Sequence, residues 1–182
     1  SGKDVIQTLL NANLFTISLD YYREWYRFHH LFREMLQNQL KKQYSIDEIN
    51  SYHLKASEWF DKNDFKEEAV KHALKGHKIE LAADLVSRYR HELLDAGKIH
   101  RLDDLIDLLP LNIIEETPAL LTAKAFIMDY HGQMPELFAF KEKAKAILSD
   151  LSIESQEMKA ILGEVKTIEG ELFILSGDTK SA

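Results

Sequence analysis

The stretch WYRFHHLFREML, residues 25–36, decides the fold at the front of this chain. Residues 25–29 alternate in the manner of a short aromatic strand. From Leu31 onward the apolar residues recur at helical spacing, so a helix begins there. A second β-prone run lies at residues 13–19, and residues 20–24 can turn the chain back between the two runs. The sequence therefore predicts a β-hairpin that leads directly into a helix.

Composition narrows the class of protein. The chain has 182 residues, 45% of them hydrophobic and 29% charged, with only 7 Gly and 3 Pro, a balance that favours one or two mainly helical domains. A net charge of −7 argues against a general nucleic-acid or membrane-surface binder. We therefore expect neither direct nucleic-acid contact nor membrane contact. The absence of cysteine excludes disulfide scaffolds and thiolate metal sites, and is consistent with the reducing cytoplasm.

After residue 44 the pattern is helical throughout. Residues Ser45–Glu48 and Asp64–Glu67 each have the spacing of a capping box, which opens a helix. Gly76 is placed to end a helix, and Thr117-Pro118 combines an N-cap residue with proline at the first helical position. A further helix is predicted to start at Pro135. The sequence thus predicts a succession of short helices joined by tight turns.

The turns between paired helices carry a repeat. Asn63-Asp64, Gly97-Lys98, Gly132-Gln133 and Gly177-Asp178 lie 34, 35 and 45 positions apart, counted between their first residues. This spacing is close to the roughly 34-residue period of tetratricopeptide (TPR) helical hairpins, which stack into a superhelix. The predicted fold is therefore mainly α: a TPR-like superhelix of helical hairpins, preceded by the short β-hairpin and helix of a winged-helix domain.

Residues 13–40, NLFTISLDYYREWYRFHHLFREMLQNQL, resemble the winged-helix end of MalT-like transcription activators, which are large ATP-binding, LuxR-type regulators of the STAND class. Residues 56–74 and 82–110 are similar to the helical pairs that follow in that family. The resemblance implies three segments: the C-terminal part of a winged-helix domain at 1–44, a helical arm at 45–115, and the start of a TPR-like superhelical sensor at 116–182.

The resemblance also implies a non-catalytic, signal-relay fragment of a larger regulator. Its partners would be an ATPase domain and a DNA-binding domain of the same parent chain, and an inducer that is a small molecule or a regulatory protein; homo-oligomerisation is left open. The chain contains no G-x-x-x-x-G-K-[ST] loop, so no cofactor is expected in this piece, although the resemblance implies ATP or ADP in the parent protein. We expect the natural protein to continue beyond Ala182.

In related STAND proteins a winged-helix histidine within a Met-His-Asp motif contacts the bound ADP. Residues 28–30 can be laid over that motif, which makes His29 the candidate nucleotide contact in the full-length protein and puts His30 in place of the aspartate. Arg27, His30 and Arg33 are the candidates for contacts with neighbouring domains.

The histidines also have purely structural interpretations, and the chain has an alternative function. The two adjacent histidines can instead be a strand-end pair that bonds locally, and adjacent strand residues point to opposite faces, which disfavours a metal site. His72 and His77 are five positions apart, which is poor spacing for one helical face, so no metal is expected. The alternative function is a free-standing TPR-like adaptor that binds a protein or peptide partner in a concave groove.

Overall fold

A computed structural model describes residues 2–11, 16–22, 25–133, 139–140, 142–143, 146–147 and 156–175. The chain divides into two units, residues 1–51 and residues 52–182, which we call the N-terminal unit and the helical unit. The predicted domain boundaries after residues 44 and 115 stay predictions. The predicted helix start at Pro135 and the turn at Gly177-Asp178 lie outside the described residues.

The N-terminal unit begins with helix α1 (Gly2–Asn11), strands β1 (Thr16–Ser18) and β2 (Tyr26–Phe28), and helix α2 (His30–Gln43). The strands are antiparallel, with Ser18 opposite Tyr26. Asp20 closes the turn between them, because its Oδ1 accepts the backbone N–H of Trp25 at 2.8 Å. The predicted β-hairpin that leads directly into a helix is therefore confirmed.

Helix α3 (Ile46–Lys62) opens with the predicted capping box. The backbone N–H of Ser45 donates to Glu48 Oε2 at 2.9 Å, and the N–H of Glu48 points back at Ser45 Oγ at 3.3 Å. The bond from the Ser45 backbone N–H holds the pKa of the Glu48 carboxyl below its usual value. This reciprocal pair satisfies backbone donors that the first turn of a helix leaves free.

The helical unit continues with α4 (Lys66–Lys75), α5 (Ile79–Asp95), α6 (Ile99–Ile106), α7 (Leu111–Glu116), α8 (Pro118–Tyr130) and α9 (Gln156–Leu175). Its core is formed by apolar side chains of α4 to α8 that are almost completely buried, among them Val70, Leu85, Leu102, Ile106 and Leu120. A second cluster joins Ala119 and Leu121 of α8 to Ile161 and Val165 of α9. The mainly helical architecture behind a short hairpin is thus confirmed. In the part of the chain that the structure describes, no helix has both the length and the apolar character needed to cross a membrane.

Four helix ends in this unit share one turn geometry. In each, a residue with positive φ follows the helix and the next backbone N–H reaches back to the carbonyl five residues earlier, which is a Schellman turn. The positive-φ residues are Asp64 (64°), His77 (54°), Gly97 (65°) and Gly132 (69°). The closing bonds are Phe65 to Phe60, Lys78 to Ala73, Lys98 to Leu93 and Gln133 to Met128, all between 2.8 and 3.0 Å.

The structure corrects one predicted helix end and adds detail to two others that it confirms. The capping box predicted at Asp64–Glu67 is wrong: Phe65 is the N-cap of α4, and Asp64 is used as the left-handed turn residue. Gly76 lies at the end of α4 as predicted, but the left-handed residue is His77. Thr117 is the N-cap of α8, yet its hydroxyl donates to Ile113 O at 2.7 Å and makes no capping bond.

Candidate functional site

The junction of β2 and α2 holds the residues that the sequence singled out. His29 is the N-cap of α2 (φ −54°, ψ 141°), and its carbonyl accepts the N–H of Arg33 at 2.9 Å. His30 is the first residue of α2, and the His29 and His30 rings lie 4.3 Å apart between centroids. The fold therefore brings these two histidines into contact at a strand-to-helix corner, because β2 ends only two residues before α2 begins.

The four candidates differ in exposure. His29 is half-buried, whereas Arg27, His30 and Arg33 are exposed. Arg27 points to the opposite face of β2 from Tyr26 and Phe28, as the period of a strand requires. Arg33 lies one turn along α2 from His30, on the same side of the helix. Three cationic or titratable side chains are thus available on the surface of this corner.

A groove runs along α2 beside the corner. It has a volume of about 410 Å³, and its walls include Phe28, Arg33, Leu36 and Leu40. Helix α2 contains no buried residue, and Leu31 and Met35 are 63% and 54% exposed. The same holds for the described residues of the whole N-terminal unit, none of which is buried. An apolar surface of this kind is typical of regions that contact other protein.

The helical unit contains a buried ionic cluster that sequence reasoning missed. Arg90 on α5 is 3% exposed; its Nη1 donates to Ser87 O at 2.6 Å and its Nη2 to Glu164 Oε1 on α9 at 3.3 Å. Thr122 on α8 donates to the other oxygen of Glu164 at 2.6 Å, and His91 Nε2 lies 3.4 Å from this carboxylate. The cluster therefore connects three helices. No pattern within a short stretch of the sequence could have indicated this cluster, since Arg90 and Glu164 are 74 positions apart.

A second polar cluster connects α3, α4 and α5. Tyr89 Oη donates to Asp61, and Arg88 Nη2 lies 3.1 Å from the other Asp61 oxygen. Burial acts to raise the pKa of Asp61, but the bonds from Tyr89 and Arg88 outweigh it, so this pKa is lowered. Burial, followed by the bond to Asp61, raises the pKa of Tyr89 strongly. Lys66, only 9% exposed, pairs with Asp64 and with Glu92, and its ammonium lies 5.3 Å from the Tyr89 ring centroid.

A histidine pair lies between α3 and α4. His53 Nδ1 is 3.2 Å from His72 Nδ1, and both side chains are half-buried. Burial lowers the pKa of both rings, and the nearby charge of Lys75 lowers them further. His72 thus faces His53 across two helices, while His77 is used in a turn. Among the described residues, no group of three or more His, Cys, Asp or Glu side chains is arranged to hold a metal ion.

Comparison with known proteins found a domain match at the start of the chain and similar proteins along its whole length. Residues 1–48, which contain α1, the hairpin and α2, match the model of the MalT winged helix domain. The whole chain is similar to the HTH-type transcriptional regulator MalT of Klebsiella pneumoniae (strain 342), with 22% identity. The MalT of Vibrio cholerae serotype O1 is 26% identical over 94% of this chain. No solved structure matched the chain.

The chain spans about a fifth of the length of the curated relatives it matches, since 20% of each is covered. The resemblance to MalT-like regulators that residues 13–40 indicated is thereby confirmed. It now extends across the entire chain, including α9, where the sequence alone indicated only a general repeat character. The roles of His29, Arg27, His30 and Arg33 stay predictions.

Proposed function

We propose that this chain is a non-catalytic regulatory segment of a MalT-like transcription regulator. It couples the binding of an inducer or a regulatory protein to the nucleotide state and oligomerisation of the parent protein. The observation that carries this proposal is the similarity to MalT along the whole chain, together with the winged helix match at residues 1–48. The parent protein would be cytoplasmic, with an ATPase domain that binds ATP or ADP and a DNA-binding domain outside this segment.

The β2–α2 corner is the proposed contact with the nucleotide-bearing domain. His29 supplies an imidazole that can donate to or accept from a bound ADP. Arg27, His30 and Arg33 are exposed, so they are available for acidic groups on a neighbouring domain. The groove along α2, with Leu36 and Leu40 in its walls, supplies apolar area for the same contact. The supporting observations are the exposure of these side chains and the absence of buried residues among the described part of this unit.

The helical unit is the proposed relay and the beginning of a TPR-like superhelical sensor. Three of its Schellman turns, at Asp64, Gly97 and Gly132, recur at nearly the spacing of helical-hairpin repeats. Such repeats stack on their neighbours, so a displacement at one end is passed along the stack. This architecture supports a mechanical role.

The experiment uses the intact regulator with His29→Ala. If His29 holds the ADP-bound off state, the variant releases ADP faster and raises transcription without inducer. His100→Ala is the matched control, since His100 is an exposed histidine of the helical unit, and it should behave as the unaltered protein. Unchanged ADP retention and unchanged basal transcription in His29→Ala, with the protein still folded by circular dichroism, would overturn the role given to His29.

A further inference from the structure

The last two turns of α3 are attached to the helical unit by contacts that do not depend on pH. Helix α3 is described in full, and Ser57 is its one buried residue. The Ser57 hydroxyl donates to Ala69 O on α4 at 2.7 Å. Phe60, three residues later, packs against the main core. Neither Ser57 nor Phe60 titrates, so this part of α3 stays in place when the pH changes.

The His53–His72 pair lies one turn earlier, and its geometry does depend on pH. His53 is four residues before Ser57 and therefore on the same side of α3. Its Nδ1 is 3.2 Å from His72 Nδ1, a distance at which one nitrogen donates an N–H and the other accepts it. The pair can take up one proton and keep this bond, because a charged ring still donates to a neutral one. A second proton has to bind the accepting Nδ1, and two N–H groups then point at each other, so the doubly protonated pair cannot keep this geometry.

The surroundings of the pair disfavour positive charge. Both rings are half-buried, and this burial is the largest cause of the lowered pKa of each ring. The charge of Lys75 on α4 acts in the same direction on both pKa values, and His77 in the following turn does so on that of His53, whereas Glu68 opposes it on that of His72. The adjacent turns on the same side of α3 supply no charge, since they carry Ile49, Asn50, Ala56 and Ser57.

We propose that the His53–His72 pair is a pH-sensitive joint, which releases the front of α3 (residues 46–56) from α4 when the medium becomes mildly acidic. The anchor at residues 57–60 keeps the end of the helix in place. The pair lies within the helical unit, directly after the point at which α3 enters it. The joint gives this unit a response to protons that requires neither a nucleotide nor an inducer, and it does not rest on the function proposed above.

The size of the effect follows from proton linkage. A free histidine with a pKa of about 6.5 is favoured over one that cannot be protonated about ten-fold more at pH 5.5 than at pH 7.5. Release of α3 frees at least one such position, the accepting Nδ1 of the pair. The open population of the front of α3 should therefore rise about three- to ten-fold between these pH values, the lower figure applying if the closed pair still admits some of the second proton.

The test is hydrogen–deuterium exchange of the 182-residue chain, followed by NMR at about pH 7.5 and 5.5 with EDTA present. The rates are expressed as protection factors, which removes the direct chemical effect of pH on exchange. We expect the protection of amides at residues 50–56 to be about three- to ten-fold lower at the lower pH. It should also lie below the protection of α5 at both pH values, because α5 has eight buried residues and opens only with the whole unit.

Two double variants identify the groups responsible. His53→Gln/His72→Gln removes both titrating rings, so the protection of residues 50–56 should be the same at the two pH values, whatever its absolute level. His100→Gln/His131→Gln is the matched control, because it removes another pair of neighbouring histidines, with ring centroids 5.6 Å apart, outside the contact of α3 with α4. The control should keep the full response of the unaltered chain.

Three results would overturn the joint. The first is equal protection of residues 50–56 at both pH values in the unaltered chain. The second is a response that persists in His53→Gln/His72→Gln, because another group would then carry it. The third is equal protection of α3 and α5 with an equal fall, because α3 would then leave only when the whole unit unfolds.

Imidazole ¹⁵N spectra of the unaltered chain test the joint even if the double variant fails to fold. At about pH 7.5 we expect one of the two rings to carry its proton on Nδ1 and the other to leave its Nδ1 free to accept. Two rings that titrate independently of each other, both near pH 6.5, would show that no shared bond exists and would overturn the proposal.

Discussion

Replacing Glu164 with leucine tests whether the buried ionic cluster holds α9 on the helical unit. The Glu164 side chain is 15% exposed and accepts bonds from Arg90 and Thr122. Within the part of the chain that the structure describes, its removal leaves the Arg90 guanidinium, 3% exposed, without a counter-charge, and Arg90 Nε has no partner there even in the unaltered protein. Thr122 loses less, since its hydroxyl also lies 3.1 Å from Ala119 O.

The size of the effect follows from this geometry. Breaking a buried ion pair by removing one partner typically costs about 3–5 kcal/mol. Arg90 keeps its bond to Ser87 O at 2.6 Å, so we expect the lower end, a loss of about 3 kcal/mol in the free energy of unfolding. For a protein of this size that loss corresponds to a melting temperature roughly 6–12 °C lower. Arg90→Met/Glu164→Leu removes both charges together, and should cost only about 1 kcal/mol, because apolar replacements of buried ion pairs are often close to neutral.

The assay is urea unfolding followed by far-ultraviolet circular dichroism, with each variant compared with the unaltered chain at one pH and salt concentration. Glu68→Leu on the exposed face of α4 is the control and should stay within about 0.5 kcal/mol. A loss below about 1 kcal/mol in Glu164→Leu would refute the assigned role of the pair. A double variant as unstable as Glu164→Leu would also refute it, because the loss of stability would then come from packing and not from an uncompensated charge.

Three further predictions concern turns, pH and local stability. Gly97→Ala should lower the free energy of unfolding by about 1 kcal/mol, because the added methyl meets no atom within 4 Å and only the left-handed backbone (φ +65°) opposes it. His77→Gly at the same geometry should stabilise the protein. Thermal melts in which both substitutions shift the melting temperature in the same direction would contradict this. Burial lowers the pKa of His53 and His72 in the folded state, so the unfolded chain takes up protons first as the pH falls. The free energy of unfolding should therefore decrease as the pH drops below about 6.5. His72→Gln should make this decrease shallower when urea unfolding is measured at a series of pH values. Backbone amides of α2 should exchange with deuterium faster than those of α5, since α2 buries no side chain; comparable protection would contradict it.

The sequence predicted features that depend on local order. The change from strand period to helical period near residue 30 places β2 and α2 within a residue of where they lie. The capping box at Ser45–Glu48 was predictable because both of its bonds lie within four residues. Gly97 and Gly132 were recognisable as turn residues. Asn63-Asp64 was also recognised as a turn, but the positive φ of Asp64 and the use of His77 as a turn residue were not predicted, because in a sequence a non-glycine residue with positive φ looks like any polar residue. Its conformation is set by the packing of the helices on either side.

In the candidate site, too, the sequence predicted what is local and missed the contacts between distant residues. Sequence reasoning selected four neighbouring residues, 27, 29, 30 and 33, and the structure places them at one corner because they are close along the chain. It could not predict the cluster at Arg90, because this cluster joins helices that are distant in sequence. Glu164 reads as a solvated residue on a polar face, and its burial depends on where α9 packs. Contacts of this kind become visible only when the tertiary arrangement is known.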